Sequence, residues 1–163
     1  MAFPPRDAYE RFIYSLPATH PEIRSSTLHL YTNSPKTCFV RGSIWFESGL
    51  ELRVFEYLDF SDGKLLNYHY TVFRGQERIR WYDPQPHPEI PELTSTFPHH
   101  VHEPPSIKHN RKPAPGISFQ APNLPTLIAD CMALGDSMIT GPSTNDQEPC
   151  YEPSGNRPGT ESP

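Results

Sequence analysis

Apolar residues recur at helical spacing near the start of the chain and at alternating positions over a longer region that follows. An amphipathic helix over 6–16 is predicted by an apolar stripe at i, i+3, i+4 and i+7, formed by Tyr9, Phe12, Ile13 and Leu16. Five strands are predicted by segments rich in β-branched and aromatic residues, namely 23–31, 37–46, 50–58, 65–73 and 77–82. The short turns between consecutive segments favour an antiparallel meander.

A proline-rich segment separates these strands from a second helical pattern. Residues 84–122, called the arm below, carry prolines at short intervals and so cannot form a long helix. Helical spacing returns over 124–134, with a stripe formed by Leu124, Leu127, Ile128 and Cys131. Residues 136–163 are polar and proline-rich, and we expect a disordered tail there. The pattern predicts one α+β domain over 1–135, a curved antiparallel sheet of about five strands with an N-terminal and a C-terminal helix.

Charge and cysteine content narrow the class of protein. The net charge of -5 at pH 7 gives no overall attraction to phosphate, so contact with nucleic acid needs a local basic patch. Cys38, Cys131 and Cys150 lie far apart without CxxC spacing, so no disulfide framework is indicated. The N-terminus lacks the pattern of a signal peptide, and no apolar run is long enough to span a membrane. We therefore expect a cytoplasmic protein.

Four of the eight histidines lie in one stretch of the arm, TSTFPHHVHEPPSIKHNRKP. In an extended chain His100 and His102 point the same way, and such an HxH pair can supply two neutral imidazoles to a metal ion. A third ligand would have to come from His87, His109 or a carboxylate such as Glu56. The same histidines suit proton transfer near neutral pH, and they also suit plain filling of space around the prolines. The residues alone leave these three interpretations open.

Basic and aromatic side chains form a second candidate site. Strict alternation puts Arg78, Arg80 and Tyr82 on one face of a strand. Further along the chain lie Lys108, Arg111 and Lys112. Guanidinium groups bind two phosphate oxygens at once, and aromatic rings stack on bases, so this pattern suits nucleic acid. The alternative is an ordinary solvent-exposed face of a sheet.

Glu56 interrupts an apolar run, VFEYL, in a predicted central strand. Burying an unpaired carboxylate is costly, so this residue should have a partner or a function. Pairing with an arginine of a neighbouring strand and a catalytic role are both open.

Three segments taken together resemble the TumE family of toxins, which are encoded beside a helix-turn-helix antitoxin. They are GSIWFESGLELRVFEYLDF, NYHYTVFRGQERIRWYDPQPHPEIP and TFPHHVHEPP, and the closing helix at Leu124 also fits. The positions that match the family motifs are Glu56, Tyr68, Tyr70, Tyr82, Asp83, His87, Pro98, His99, His100 and His102. The chain departs from the family at Thr71, Trp81, Pro88 and Val101, where histidine, arginine, histidine and lysine are usual.

The resemblance implies a toxin that attacks RNA as a metal-independent ribonuclease, without a bound cofactor. His100 or His102 would transfer one proton and Glu56 or His87 the other, while Arg78 and Arg80 would hold the phosphate. The residues expected to contact RNA are Arg78, Tyr68, Tyr70, Tyr82, Lys108 and Arg111. We expect the arm to run back across the sheet and to place His100 and His102 near Glu56, Arg80 and His87.

The expected partner is a helix-turn-helix antitoxin, with RNA and a second copy of the chain as further candidates. Two other functions stay open. In one, the chain is a non-catalytic interaction module that docks its rigid proline-rich arm on a partner protein. In the other, it is a metal-binding protein built on the histidine cluster.

Overall fold

Two α-helices and eight β-strands make up the part of the chain that the computed structural model describes, residues 2–139. The elements follow in the order α1 (Arg6–Thr19), β1 (Ile23–Ser26), β2 (His29–Thr32), β3 (Thr37–Phe46), β4 (Leu50–Asp59), β5 (Lys64–Arg74), β6 (Glu77–Asp83), a 3₁₀ helix (Pro91–Thr96), β7 (His100–His102), β8 (Arg111–Pro113) and α2 (Leu124–Ile139). The predicted α+β class is confirmed, and so are the helix before and the helix after the strands in the chain. None of the helices within 2–139 is long and apolar enough to cross a membrane.

The described strands form one antiparallel sheet of eight rather than about five. The predicted strand 23–31 is two strands, β1 and β2, and both pair with β3. The chain breaks between them at Thr27, whose amide donates to the Ser43 carbonyl. The break lies against Gly42, where a Cβ atom would stand 2.5 Å from the Thr27 carbonyl oxygen. The close approach of the Thr27 backbone explains why position 42 is a glycine. From the sequence alone, a β-bulge is the expected reason for this glycine.

The arm supplies the two strands that the alternation pattern does not show. β7 pairs with β6, and β8 pairs with β7, so the sheet order is β1-β3-β4-β5-β6-β7-β8 with β2 also on β3. The expectation that the arm runs back across the sheet is therefore wrong. It extends the sheet at the β6 edge, because its short extended segments satisfy backbone groups that β6 would otherwise leave unpaired.

Helices α1 and α2 cover one face of the sheet, called the inner face. The predicted stripe residues of α2 are all buried, as are Tyr9, Ile13 and Leu16 of α1. Full burial of one such side chain stabilises a fold by about 1.5–3 kcal/mol, so these stripes hold both helices on the sheet. The opposite, outer face keeps several side chains exposed, namely Arg41, Arg53, His69 and Arg78.

Both helices run past their predicted ends. Pro17 lies inside the last turn of α1, where the Thr19 hydroxyl donates to the Ser15 carbonyl at 3.1 Å. Helix α2 continues to Ile139, four residues beyond the predicted domain boundary at 135. Gly135 does not end it, because the missing side chain lets α2 pack against Ser48, whose Cβ would lie 2.8 Å from an added Cβ. The rest of the predicted tail, 140–163, lies outside the described residues.

Two β-bulges change which side chains share a face. In β5 the register shifts so that Leu58 pairs with Leu65, and the bulged residue Leu66 is 39% exposed. In β6 the register shifts at Ile79, so that Arg80 pairs with Val72 but Arg78 pairs with Phe73. The expectation that Arg78, Arg80 and Tyr82 share one face is wrong, because the extra residue reverses the alternation. Arg78 lies on the outer face, whereas Arg80 and Tyr82 lie on the inner face.

Candidate functional site

Pairing of β6 with β7 brings three chemically active side chains together on the outer face. Asp83 is paired with His100, and Trp81 is paired with His102. The Nε2 atoms of His100 and His102 are 3.0 Å apart. Each of these Nε2 atoms also faces the Asp83 carboxylate, at 3.4 Å for His100 and 3.6 Å for His102. These three residues are called the histidine centre.

Backbone carbonyls fix the orientation of both imidazoles. Nδ1 of His100 lies 3.2 Å from the Pro98 carbonyl oxygen, and Nδ1 of His102 lies 2.7 Å from that of Ile107. A carbonyl oxygen only accepts hydrogen bonds, so each Nδ1 carries the hydrogen and donates it. Asp83 is held in turn by the amide of Gln85, which donates to its Oδ1 at 2.9 Å. The Nε2 atoms of both rings are consequently the free ends that face each other.

The centre is shielded from solvent by stacked rings. His100 and His102 are 1% and 2% exposed. The Trp81 ring stacks on His102 with the ring centroids 4.4 Å apart, and His69 stacks on Trp81 at 5.6 Å. Burial lowers the pKa of His102 below its ordinary value, and it does the same for His69. Neutral imidazole is thereby favoured in both side chains.

Two further residues named by the sequence lie beside the centre. The His87 ring meets His100 edge-on at 5.1 Å, and its Nδ1 lies 3.0 Å from the Glu89 carboxylate. Arg111 is paired with His102 across β7 and β8, and within 2–139 its buried Nε has no hydrogen-bond partner. The expected proximity of His87 to His100 is confirmed. Lys108 is exposed, in the loop that joins β7 to β8.

A groove of about 480 Å³ runs along the outer face and reaches the centre at Asp83. Its other lining residues are Phe55, Asn67, Tyr68, His69, Trp81, Pro84 and Gln85. Arginines lie over aromatic rings across the same face. Arg78 is 5.3 Å from the Trp81 ring, and Arg41 is 5.4 Å from the Phe55 ring. On the neighbouring positions of the sheet, Arg53 lies 4.1 Å from the Phe73 ring.

Sequence reasoning gave no role to Phe55, His69 or Arg41. The pattern that could have found them is the alternation itself, since each lies one residue from a buried neighbour in β3, β4 or β5. Asp83 was singled out only through the family resemblance. Its place beside His100 depends on the pairing of β6 with β7, which no local pattern shows.

Glu56 lies on the inner face and takes no part in the histidine centre, so its expected proximity to His100 and His102 is wrong. Its carboxylate accepts hydrogen bonds from the hydroxyls of Tyr9 at 2.6 Å and Tyr70 at 2.7 Å. Asn123 donates to the Tyr70 hydroxyl at 3.2 Å. Complete burial raises the pKa of Glu56 to about 7, although both tyrosine hydrogen bonds act in the other direction. The partners are tyrosines rather than an arginine, and they join α1 and the start of α2 to the sheet.

Arg80 is also on the inner side, so its expected proximity to the two histidines is wrong as well. It forms ion pairs with Glu103 at 3.2 Å and with Asp130 at 3.9 Å. The Tyr82 hydroxyl donates to the same Asp130 carboxylate at 2.9 Å. These contacts tie β6 to the loop after β7 and to α2.

The three tyrosines expected to contact RNA are core residues. Tyr68, Tyr70 and Tyr82 are 2%, 0% and 2% exposed, so their rings are not available to stack on bases. Tyr68 instead lies 2.6 Å, oxygen to Nδ1, from His99, which points to the inner side of the arm. A strand places alternate residues on opposite faces, which explains why His99 is separated from His100 and His102.

Comparison with known proteins assigns the chain to a family. A family model described as Toxin TumE matches residues 11–134, a span that runs from α1 to α2 and includes the whole histidine centre. No curated protein and no solved structure matches the chain at a significant score.

Proposed function

The chain belongs to the TumE toxin family, and from this premise we propose that it is a toxin that cleaves RNA at the histidine centre. The observation that carries the proposal is the layout of the outer face. The groove lined by Phe55, His69 and Trp81 reaches Asp83 beside the two buried imidazoles, and arginines lie over two of these rings. A surface that is acidic, apolar or evenly charged would not give a nucleic acid these contacts next to the histidine centre.

The outer face suits single-stranded RNA. Bases stack on aromatic side chains with about 1–3 kcal/mol each and little regard to sequence, and guanidinium groups beside the rings attract the phosphates. Trp81 with Arg78 on β6, and Phe55 of β4 with Arg41 of β3, provide two such combinations, with β5 between them. These rings and arginines take over the contact with RNA that was expected of Tyr68, Tyr70 and Tyr82, which are buried. Because the whole chain carries a net charge of -5, binding must depend on these local cations.

Cleavage of RNA needs a group that removes the proton of the 2′-hydroxyl, one that protonates the leaving oxygen, and positive charge near the phosphorus. Imidazoles for proton transfer are present in His87, which is partly exposed, and in His100 and His102, which are buried beside the groove at Asp83. Arg111, which pairs with His102 across β7 and β8, would offset the charge on the phosphate, in the role expected of Arg80. Which imidazole transfers a proton depends on the species that the two Nε2 atoms of His100 and His102 bind.

The proposed partner is a helix-turn-helix antitoxin encoded beside the toxin, as the family implies. Growth arrest on induced expression should therefore be relieved when the neighbouring gene is co-expressed. If growth is unaffected by induction and the chain instead retains a host protein stably, the interaction-module alternative replaces the toxin assignment.

The first prediction concerns the two imidazoles of the centre. His100→Ala and His102→Ala should each lower the rate of cleavage of labelled RNA by at least ~100-fold and should abolish growth arrest. The matched control is His109→Ala, since His109 is an exposed histidine of the same arm. Its cleavage rate should equal that of the unsubstituted chain.

Both variants must be shown to be folded before the rates are compared. Circular dichroism and thermal unfolding serve this purpose, and His87→Ala gives a third test at a less buried position. Wild-type cleavage in folded His100→Ala and His102→Ala proteins would sink the assignment of the reaction to this centre.

A further inference from the structure

We propose that the histidine centre binds one divalent first-row transition-metal ion of the zinc class through Asp83, His100 and His102. The site is the one used in the proposed RNA cleavage, but ion binding can be measured without RNA. The inference departs from the expected cofactor-free reaction. It rests on three convergent ligand atoms, their supporting hydrogen bonds and their charge.

The first observation is the direction of the two Nε2 lone pairs. Because each Nδ1 donates its hydrogen to a carbonyl, a neutral His100 and a neutral His102 both present an acceptor at Nε2. These acceptors face each other at 3.0 Å. Two lone pairs at that distance repel, and a cation bound to both nitrogens, either a proton or a metal ion, would relieve the repulsion.

The third ligand atom favours the metal ion. A shared proton satisfies only the two nitrogens, and the Asp83 oxygens at 3.4 Å and 3.6 Å are too far away to be hydrogen-bond partners of good geometry. Ligand atoms about 2.1 Å from one ion, at angles of about 90–120°, lie about 3.0–3.6 Å from one another. The distance between the two Nε2 atoms falls in this range, and so does the distance from each Nε2 to its nearer Asp83 oxygen, Oδ1 for His100 and Oδ2 for His102. One ligand atom from each of the three residues lies within 4.8 Å of the others.

The supporting contacts are those of a metal site. Metal-binding histidines usually donate the second ring nitrogen to a carbonyl or a carboxylate, which fixes the tautomer and the ring plane. Pro98 and Ile107 supply such carbonyls, and the Gln85 amide orients the Asp83 carboxylate. The Trp81 ring covers one face of the His102 ring, with the ring centroids 4.4 Å apart. The arrangement is in place within the fold and needs no movement of the backbone.

The ligand set indicates the class of ion. Two imidazoles and one carboxylate suit zinc, iron, cobalt, nickel or manganese rather than calcium or magnesium, which prefer oxygen ligands. Three protein ligands leave coordination positions free, and Asp83 lies on the groove that reaches the centre. A divalent ion with one carboxylate keeps a net positive charge beside Arg111, which suits a phosphate. His87 is then the neighbouring imidazole left free to move a proton.

The experiment uses full-length protein without an affinity tag, treated with a chelator and desalted. Titration with Zn²⁺ by calorimetry, and with Co²⁺ by visible absorption, should give one equivalent bound and a raised melting temperature. Asp83→Ala, His100→Ala and His102→Ala should each weaken binding by at least ~10-fold. His109→Ala, an exposed histidine of the arm, should bind as the unsubstituted protein does.

The controls distinguish variants that lack a metal-binding side chain from variants that do not fold. Melting temperatures without metal identify variants that do not fold, and the partly exposed Asp83 provides a variant outside the buried ring pair. Less than a tenth of an equivalent bound by the unsubstituted protein overturns the proposal in favour of a shared proton. Full binding by folded His100→Ala and His102→Ala proteins overturns it too. Variants that bind no ion but cleave RNA at the wild-type rate support the ligand assignment and instead sink the proposed RNA cleavage.

Discussion

Two tyrosine hydroxyls hold the carboxyl group of Glu56 inside the core, between α1 and the sheet. Tyr9 donates from α1 and Tyr70 from β5, so one side chain joins a helix and a neighbouring strand to β4. Burial raises the pKa of Glu56 to about 7 and raises the pKa of Tyr9 and Tyr70 further above their ordinary values. The physical cause is loss of water around the charged form. A group of this kind makes the stability of the fold depend on pH.

The contribution of Glu56 to the stability of the fold should fall as pH rises from about 4.5 to about 7, whereas the lowered pKa of His69, His99 and His102 acts in the opposite direction. Glu56 has a folded-state pKa above its unfolded value of 4.5, so the folded chain keeps a proton that the unfolded chain loses. Its contribution is complete below pH 4.5 and is lost as pH passes about 7. A shift of this size corresponds to about 3 kcal/mol. Urea unfolding at pH 5 and pH 8, with and without Glu56→Gln, measures it.

The control for this prediction lies on the same strand. Hydrogen bonds from Arg53, opposed by slight burial, lower the pKa of Glu51, so its charge state does not change between pH 5 and pH 8. Glu51→Gln should leave the difference between the two pH values unchanged, whereas Glu56→Gln should reduce it. Equal differences in all three proteins would show that Glu56 is charged in the fold.

At the scale of elements, β3 is the strand on which the most depends. It pairs with β4 along its length on one side and with both β1 and β2 on the other. The chain passes from β1 to β2 close to Gly42, which has a φ of 142° and no room for a Cβ atom. Three strand pairings therefore meet at one backbone position.

Gly42→Ala should destabilise the protein by at least ~3 kcal/mol, because it adds backbone strain and overlaps the Thr27 carbonyl group. Gly75→Ala is the matched control, since Gly75 also has a positive φ of 60° but nothing within 4 Å of the added Cβ. Strain alone costs about 1–2 kcal/mol there. If chemical unfolding shows that both variants lose the same free energy of unfolding, the backbones at Gly42 and Thr27 lie further apart than described.

At the scale of the molecule, charge is distributed unevenly over a chain with a net charge of -5. Arg41 and Arg78 lie exposed on the outer face, over aromatic rings. On the other side of the molecule, Arg11 of α1 is paired with Asp7 on the helix surface. We expect RNA to bind at Arg41 and Arg78 and not at Arg11.

The salt dependence of RNA binding tests this distribution. In plots of log affinity against log salt concentration for single-stranded RNA, Arg78→Ala should make the slope less negative by about 0.7. Arg11→Ala changes the net charge by the same amount and should leave the slope as it is. If both variants change the slope equally, binding depends on net charge and not on the outer face.

The repeating patterns in the sequence were enough to determine both helices, the long strands β3 to β6 and the division of β4 into two faces. Local periodicity carries this information, because a helix repeats every 3.6 residues and a strand every two. The same rule correctly put His100 and His102 on one face. It also correctly indicated that Glu56 must have partners, since a buried carboxylate cannot stay unpaired.

Tertiary structure decided which of these residues meet. The bulge at Ile79 sends Arg78 and Arg80 to opposite faces, and one inserted residue leaves no trace in the alternation pattern. Pairing of the arm with the β6 edge makes Asp83 the neighbour of His100, while α1 and α2 bury Glu56 on the other face. Strand pairing joins residues far apart in the chain through backbone hydrogen bonds that any sequence can form. For that physical reason the sequence could name the imidazoles, and only the folded sheet could bring the Asp83 carboxylate beside them.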